Sequence, residues 1–218
     1  MAYEIEIKLK IADPKAFARK LKGQQAQPVG TGSGRVHEWN VIFDTPDSQL
    51  AKAGQLLRIR TETPDSVSKQ GKRSPRKRTI LTFKRPIETG NSSPVGMQTN
   101  HHHKVREEIE VEVADANVLT KIFEGLGMRG WFRYEKYRTS FRLPAASSWA
   151  RGLLIELDET PIGTFVELEG PAPAIDRVAK ALGYFKKDYI VKNYLTLYVE
   201  ECFRLGSEPK DMLFGPKK

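Results

Sequence analysis

The chain has 218 residues, of which 39% are hydrophobic and 29% are charged, so it can form one packed domain. Its formal net charge of +9 predicts an anionic partner, either a nucleic acid or a small phosphate compound. The single cysteine, Cys202, excludes an intrachain disulfide and fits a reducing compartment. No apolar run is long enough to span a membrane, and the N-terminus lacks the apolar core of a signal peptide. We therefore expect a cytoplasmic protein without a membrane partner.

The first predicted element is a strand at residues 3–11, "YEIEIKLKI", where apolar and charged side chains alternate. This period of two is typical of a half-buried strand. Glu4, Glu6 and Lys8 share its polar face. Lys10 has the same parity but lies nearer the end of the strand, so we expect it to meet solvent.

Further strands and several helices are predicted along the chain. The strands read, in order, "EWNVIFDTPD", "QLLRIRTE", "ILTFKRP", "KVREEIEVEV", "WFRYEKYRTSFRL", "GLLIELDE" and "TFVELEG". The helices read "DPKAFARKLKG", "SQLAKAG", "VLTKIFEGLG", "APAIDRVAKALG" and "YIVKNYLTLYVEECFRLG". Because many successive strands have no helix between them, we expect mostly antiparallel pairing.

Two polar loops interrupt the pattern. Residues 63–79 hold six basic side chains and one aspartate, a net charge of +5, and almost no apolar residue, which predicts a mobile insertion. Residues 88–104 form the second loop and contain His101, His102 and His103. Three adjacent histidines do not have the spacing of a preformed metal site. The basic loop lacks interleaved aromatic residues, so nucleic-acid binding there would depend on phosphates alone.

Acidic and basic side chains recur as doublets on the polar faces of the predicted strands. The set comprises Glu4, Glu6, Lys8, Arg58, Arg60, Lys84, Arg106, Glu108, Glu110, Lys136, Arg138, Glu156, Asp158, Glu167 and Glu169. A sheet whose polar face meets water would explain any one strand. It explains dense charge on strand after strand less well. We therefore expect a closed barrel of about eight strands, with the charged face inward and helices packed outside, able to hold one small ligand.

The chemistry of this set favours a polyphosphate with its metal ion. Buried charges must be paired or must coordinate a metal. Carboxylate doublets suit Mg²⁺ or Mn²⁺, which take oxygen ligands and keep substrate phosphates in their shell. Arginine and lysine side chains suit phosphate oxygens, and arginine can bind them through two hydrogen bonds.

Several motifs resemble those of the CYTH superfamily, also called triphosphate tunnel metalloenzymes. The chain opens with Glu4-x-Glu6-x-Lys8, and "FDTPDSQLAKAGQLLRIR", "LTFK", "REEIE", "EKYR", "IELDETPIGTFVELEG" and "VKNYLTL" follow in the family's order, from residue 3 to about 200. The resemblance implies an α+β fold, with a closed eight-stranded antiparallel β-barrel forming a tunnel. It also implies a divalent cation and a substrate with a triphosphate group. Members include inorganic, thiamine and RNA triphosphatases and class IV adenylate cyclases.

The resemblance also implies roles for individual residues. The implied metal ligands are Glu4, Glu6, Glu167 and Glu169, with Asp158, Glu108 and Glu110 as further candidates. The implied triphosphate-binding residues are Lys8, Arg58, Arg60, Lys84, Arg106, Arg138 and Lys192, with Lys136 as a weaker member. Lys192 is expected on the C-terminal helix. Lys84 is also the candidate base for the attacking water, a role that requires a depressed pKa.

The sequence departs from the family pattern at two positions and leaves the reaction open. Arg85 stands where the family often has glycine, and Asn193 where it usually has serine. Hydrolysis of a triphosphate is the leading interpretation, and Asn40 resembles the inorganic triphosphatase branch. A class IV adenylate cyclase is the first alternative. A non-enzymatic protein that binds polyphosphate or RNA through the basic loop is the second.

We expect a single domain over residues 1–206 and a disordered tail over residues 207–218. A small-molecule triphosphate is the expected partner, and the protein is expected to be a monomer or a homodimer.

Overall fold

The computed structural model describes residues 2–30, 34–65, 76–87 and 102–215. Its strands are β1 (Ala2–Ile11), β2 (Gln27–Pro28), β3 (Arg35–Asp44), β4 (Leu56–Pro64), β5 (Arg78–Pro86), β6 (Lys104–Val113), β7 (Arg129–Arg142), β8 (Leu154–Thr160) and β9 (Gly163–Glu169). Its α-helices are α1 (Pro14–Gly23), α2 (Gln49–Lys52), α3 (Ala116–Gly125), α4 (Ala172–Ala181) and α5 (Tyr194–Arg204). None of the described helices is long and apolar enough to cross a membrane.

Eight of these strands close into an antiparallel barrel. The order around the sheet is β7-β3-β4-β5-β6-β1-β9-β8, and β8 pairs back with β7. The short strand β2 adds two residues beside β7. The expected α+β fold with a closed eight-stranded antiparallel barrel is therefore confirmed. Closure matters because it turns one face of every strand toward a common interior.

The apolar faces of β1, β8 and β9 pack outward under α1 and α4. Ile7 and Leu9 of β1 are fully buried there, as are Ile175 and Val178 of α4. Burying each such side chain stabilises the fold by about 1.5–3 kcal/mol. Asp13 caps α1 by accepting a 2.9 Å hydrogen bond from the amide of Ala16, as its sequence predicts. The outward packing leaves the alternate charged positions of β1 inside the barrel.

A second apolar layer forms where α3 covers β3 and β4. The Phe123 ring lies 5.2 Å from the Phe43 ring, and both pack with Ile59. Helices do not cover the whole barrel, however. Ile109 and Val111, on the outer face of β6, are 54% and 52% exposed. The described helices therefore leave the outer face of β6 exposed at these two positions.

The C-terminal segment differs from the sequence prediction in two ways. The final helix begins at Tyr194, because Asn193 caps it and Ile190 is held extended by backbone hydrogen bonds of 2.8 and 2.9 Å to Lys8. Beyond the helix, Met212 is fully buried and pairs with Tyr134 of β7. The described residues 207–215 thus differ from the disordered tail that we expected. The fully buried Met212 side chain explains the difference, since it ties this stretch to the barrel.

Some predictions fall on residues outside the described part of the chain. They concern most of the basic loop (66–75), most of the second polar loop (88–101) with His101, and the last three residues (216–218). The strand that follows the second loop, β6, begins at Lys104, as the pattern "KVREEIEVEV" predicts.

A close approach of two backbone segments gives a stability prediction. Gly170 follows β9 with φ of +142°, and a Cβ built on it would lie 2.7 Å from the carbonyl oxygen of Gly152. We expect Gly170→Ala to lower the free energy of unfolding by about 2–3 kcal/mol, since both the backbone conformation and the contact resist a side chain. Urea denaturation measures this change.

Gly125 provides the matched control for that variant. It lies in α3 at an ordinary φ, with no atom within 4 Å of a built Cβ. Gly125→Ala should leave stability unchanged or raise it by up to about 1 kcal/mol. Equal effects of the two substitutions would contradict the close approach at Gly170.

Candidate functional site

A cavity of about 440 Å³ lies inside the barrel, and charged side chains from all eight barrel strands line it. The basic ones are Lys8, Arg58, Arg60, Lys84, Lys104, Arg106, Lys136 and Arg138, and the acidic ones are Glu4, Glu6, Asp44, Glu108, Glu110, Glu156, Glu167 and Glu169. Eight bases therefore face eight acids. Lys10, which we expected to meet solvent, is exposed.

One group of opposite charges surrounds Lys84 of β5. Its Nζ lies 2.6 Å from an oxygen of Glu4 and 3.0 Å from an oxygen of Glu108. Burial lowers the pKa of Lys84, but the negative charges of Glu4 and Glu6 outweigh that effect and raise it. A raised pKa keeps this lysine protonated. The direction is opposite to the one that a general base requires, so the geometry favours Lys84 as a cation.

A second group joins β1 to β6 and β9. Lys8 lies 3.3 Å from Glu6 and 3.1 Å from Glu167. Lys104 contacts the same oxygen of Glu6. Burial raises the pKa of Glu6, yet the Lys8 and Lys104 charges lower it to about 2. Glu6 is therefore an ionised carboxylate held between two ammonium groups.

A third group lies deeper, around Asp158 of β8. The Arg138 guanidinium donates two hydrogen bonds of 2.7 Å to this carboxylate, and Lys136 donates one of 2.8 Å. Tyr194, at the start of α5, donates another of 2.6 Å. Asp158 is fully buried and does not line the cavity. It lies behind the cavity-facing bases and orients them, so its position does not suit the metal-ligand role that we expected.

The remaining arginines of the cavity wall come from β4 and β6. Arg58 donates to the hydroxyl of Tyr134 at 3.0 Å and to that of Thr82 at 3.2 Å. Arg60 donates to Glu110 at 3.2 Å. Both guanidinium groups line the cavity. Arg106 of β6 also lines it and donates to the carbonyl of Gly54. The structure thus brings together every expected phosphate-binding residue except one.

Lys192 is the exception. It precedes α5, its side chain is about half exposed, and its Nζ lies 2.7 Å from an oxygen of Glu200. It does not line the cavity. Of the described histidines, His103 is buried with its Nε2 2.9 Å from Asp176, outside the cavity.

Sequence reasoning missed three charged residues of the barrel interior, Lys104, Glu38 and Asp44, and one tyrosine, Tyr194. Lys104 continues the parity of Arg106 and Glu108, so extending the period of two by one step would have found it. No sequence pattern indicated Tyr194, because only the position of α5 brings its hydroxyl inside the barrel. Glu38 of β3 has the parity of Asn40 and Ile42 but belongs to no charged doublet, so the pattern did not single it out.

Glu38 is fully buried and lies 3.5 Å from both Lys136 and Arg138. Burial raises its pKa, but the charges of Lys136 and Arg138 lower it to about 2. Glu38 and Asp158 thus flank the same two bases, and neither carboxylate lines the cavity. Together they neutralise those bases from behind.

Glu169 is the one cavity carboxylate with a strongly raised pKa among those described. Burial and the nearby charges of Glu156 and Glu4 raise the pKa of Glu169 to about 8. It forms no ion pair with a described lysine or arginine, although the Lys84 charge acts on it. A carboxylate crowded by other carboxylates is stabilised by a cation. The donor set therefore fits a hard divalent ion, although no three described carboxylates already stand together as a metal site.

The chain belongs to the CYTH domain family. The family model for the CYTH domain matches residues 2–194, nearly the whole chain. None of the curated proteins matches the chain in sequence.

Solved structures share this fold. A conserved hypothetical protein from Pyrococcus furiosus is 26% identical, with a TM-score of 0.60 over 89% of this chain and 99% of its own. A candidate adenylate cyclase from Vibrio parahaemolyticus is 15% identical, with a TM-score of 0.64 over 88% of this chain and 95% of its own. A candidate adenylyl cyclase from Hippeastrum, described as having a dominant triphosphatase activity, is 21% identical, with a TM-score of 0.51 over 94% and 97%.

The buried position of Glu38 gives a prediction with a defined pH dependence. Its folded-state pKa of about 2 lies below the ordinary value of 4.5, so its contribution to stability is present above pH 4.5 and is lost as the pH falls toward 2. Glu38→Gln should lower the free energy of unfolding at neutral pH by about 3 kcal/mol, because two buried cations lose a partner. The difference from the wild type should shrink in acid.

Urea denaturation at several pH values measures both effects. Glu208→Gln, at an exposed position, is the control and should change stability by less than about 0.5 kcal/mol at every pH. A difference between Glu38→Gln and the wild type that stays constant down to pH about 2 would contradict the proposed ion pairs.

Proposed function

We propose that this chain catalyses the divalent-metal-dependent hydrolysis of a triphosphate inside the barrel. The charged cavity supports this most directly, because eight basic and eight acidic side chains line it. When a triphosphate binds with a divalent cation, the bases of the wall can bind the phosphate oxygens and the acids can bind the cation. The ion pairs of the wall are then replaced by contacts with the ligand. Membership of the CYTH family supports the same substrate class.

In this proposal the bases of the wall bind the phosphate oxygens. Arg58, Arg60 and Arg106 would approach from β4 and β6, and Lys8, Lys84 and Arg138 from β1, β5 and β7. Lys136, held from behind by Asp158, completes the set. Fixed cations stabilise charge that develops on the phosphate oxygens in the transition state. Lys192 is left out of the set because its side chain pairs with Glu200 and does not line the cavity.

Glu169 is the first choice to hold the cation. Glu4 and Glu108 line the same cavity, and their charges act on Glu169, so they are the next candidates. A bound Mg²⁺ or Mn²⁺ would neutralise phosphate oxygens and help to orient the substrate. Glu6, Glu167 and Glu110 are further candidates. Like Glu4 and Glu108, each of them would have to exchange a basic partner. Asp158 keeps a structural role, since it already binds three donors behind the wall.

The reaction itself is a displacement at the terminal phosphorus. Water adds in line, the bridging bond from that phosphorus breaks, and diphosphate leaves with the electron pair, while the proton that the water loses passes to the phosphate products or to solvent. Lys84 acts by charge in this scheme, because its raised pKa keeps it protonated. The protein's contribution is to position the chain of phosphates and exclude bulk water.

Adenylate cyclase activity is the second candidate, and the Hippeastrum protein motivates keeping it, since its description names both activities. A cyclase would use the same wall while the ribose hydroxyl attacks the innermost phosphorus and pyrophosphate leaves. The two reactions differ in product rather than in phosphate binding. Phosphate binding by the basic loop remains a prediction, as do cytoplasmic location and oligomeric state.

Product analysis separates these possibilities. Purified protein is given inorganic triphosphate, ATP or thiamine triphosphate with Mg²⁺ or Mn²⁺, and the products are resolved by ion-exchange chromatography. We expect orthophosphate with the corresponding diphosphate. Formation of cyclic AMP and pyrophosphate from ATP would contradict the hydrolase and support the cyclase. No turnover of any substrate would contradict both activities.

Metal dependence gives a prediction for Glu169. Its raised pKa of about 8 means that a proton must leave before a cation binds, so apparent Mn²⁺ affinity should rise as the pH increases toward 8. Glu169→Gln should abolish this rise and weaken the apparent Mn²⁺ affinity by more than about 10-fold. Activity titrated with Mn²⁺ at several pH values, and calorimetry of Mn²⁺ binding without substrate, measure both effects.

Glu159 supplies the control, because it lies on the adjacent strand but pairs with Arg35 outside the cavity. Glu159→Gln should leave the Mn²⁺ dependence unchanged. A Glu169→Gln protein with wild-type Mn²⁺ affinity would rule out this carboxylate as a ligand.

A further inference from the structure

A β-bulge in β7 turns one tryptophan toward the cavity. Ile42 pairs with Phe132 and Phe43 pairs with Gly130, so Trp131 is the extra residue between them. A bulge of this kind re-aims a side chain relative to the regular alternation of the strand. Trp131 accordingly lines the same cavity as the charged residues, and it is 43% exposed.

Gly130 permits the bulge. A Cβ built on this residue would lie 2.8 Å from Cγ1 of Val41 on β3, closer than real side chains approach each other. The absence of a side chain lets β3 and β7 come together where the register shifts. The position of Trp131 thus follows from a specific local arrangement of the sheet.

Apolar residues accompany Trp131 in the cavity wall. Ile42, Leu56 and Leu195 line it as well, from β3, β4 and α5. Leu56 is the direct cross-strand partner of Lys84. An apolar part of the wall therefore begins next to a proposed phosphate-binding cation. We call these four residues, Ile42, Leu56, Trp131 and Leu195, the apolar collar.

The apolar collar has no role in binding phosphates alone. Inorganic triphosphate offers only charged and polar oxygens, which gain nothing from an indole ring or a leucine side chain. The cavity volume of about 440 Å³ lies within the range of about 300–1,000 Å³ typical of sites for organic ligands. Such sites combine apolar and aromatic walls with a few polar anchors.

We propose that the apolar collar is a subsite for the planar aromatic group of an organic triphosphate, such as the base of a nucleoside triphosphate, with Trp131 stacking on that group. The inference rests on the proposed function, because the triphosphate occupies the charged part of the same cavity. It makes Trp131 a specificity-determining residue: it selects organic triphosphates over inorganic triphosphate.

Steady-state kinetics with two substrates test this selection. The measured quantity is the ratio of kcat/KM for ATP to kcat/KM for inorganic triphosphate. Trp131→Ala should lower this ratio by about 5- to 100-fold, the range of a lost stacking interaction, and Trp131→Phe should restore a large part of it. An unchanged ratio in Trp131→Ala would overturn the proposal.

Trp39 provides the matched control. It is also a partly exposed tryptophan, but it lies on the outer face of β3 and does not line this cavity. Trp39→Ala should leave the substrate ratio at its wild-type value. If Trp39→Ala lowers the ratio as much as Trp131→Ala does, the effect is not due to stacking in the cavity, and the proposal fails.

A binding experiment separates this proposal from the proposed function. With Trp39 and Trp149 replaced by phenylalanine, Trp131 becomes the only tryptophan in the chain. Its fluorescence should be quenched by an ATP analogue with a nitrogen bridge between the last two phosphates, and much less by inorganic triphosphate. The same titration with thiamine triphosphate shows whether a base or another heteroaromatic ring quenches more strongly.

The outcomes can be told apart. Quenching without turnover of any triphosphate supports the subsite and contradicts the hydrolase. Turnover of inorganic triphosphate with no quenching by either organic ligand contradicts the subsite and leaves the hydrolase standing.

Discussion

The structure depends on the mutual neutralisation of charges that the barrel buries. Isolated buried charges are strongly unfavourable, so the inward face of the barrel is stable only because each strand places its acids against the bases of another. Arg138 shows this most fully: it contacts Glu38 of β3, Glu156 and Asp158 of β8, and Glu167 of β9. The closed sheet and the charge pairing therefore require each other.

The same pairing divides the buried carboxylates into two kinds. Glu38 and Asp158 lie behind the bases and hold them in place, while the cavity carboxylates face the space that a ligand would enter. Lysine and arginine side chains held in this way are preorganised, so little reorganisation is needed when phosphate oxygens replace carboxylates as their partners. Glu169, crowded by carboxylates and with a raised pKa, is the position where an added cation relieves the most repulsion. The wall is thus arranged to accept an anion and a cation together.

The regular part of this arrangement was predictable from the sequence. Alternation fixed which residues of β1, β4 and β9 face inward, and the succession of charged doublets indicated a closed interior. Long-range placement was not predictable. Lys192 is close in sequence to the cavity residue Tyr194, but it points toward Glu200 instead. Asp158 has the parity of a cavity residue, yet the surrounding bases cover it.

The orientation of Trp131 at the bulge was likewise not predictable from the sequence. Strict alternation predicts that Trp131 faces outward with Arg133 and Glu135, and only the shift in register at Phe43 shows otherwise. The sequence by itself determined the strands, their charged faces and the family, because period-two patterns and ordered motifs are local properties of the chain. The tertiary structure alone decided which charges face the cavity, which support it from behind and where the apolar collar lies, because these depend on contacts between residues far apart in sequence.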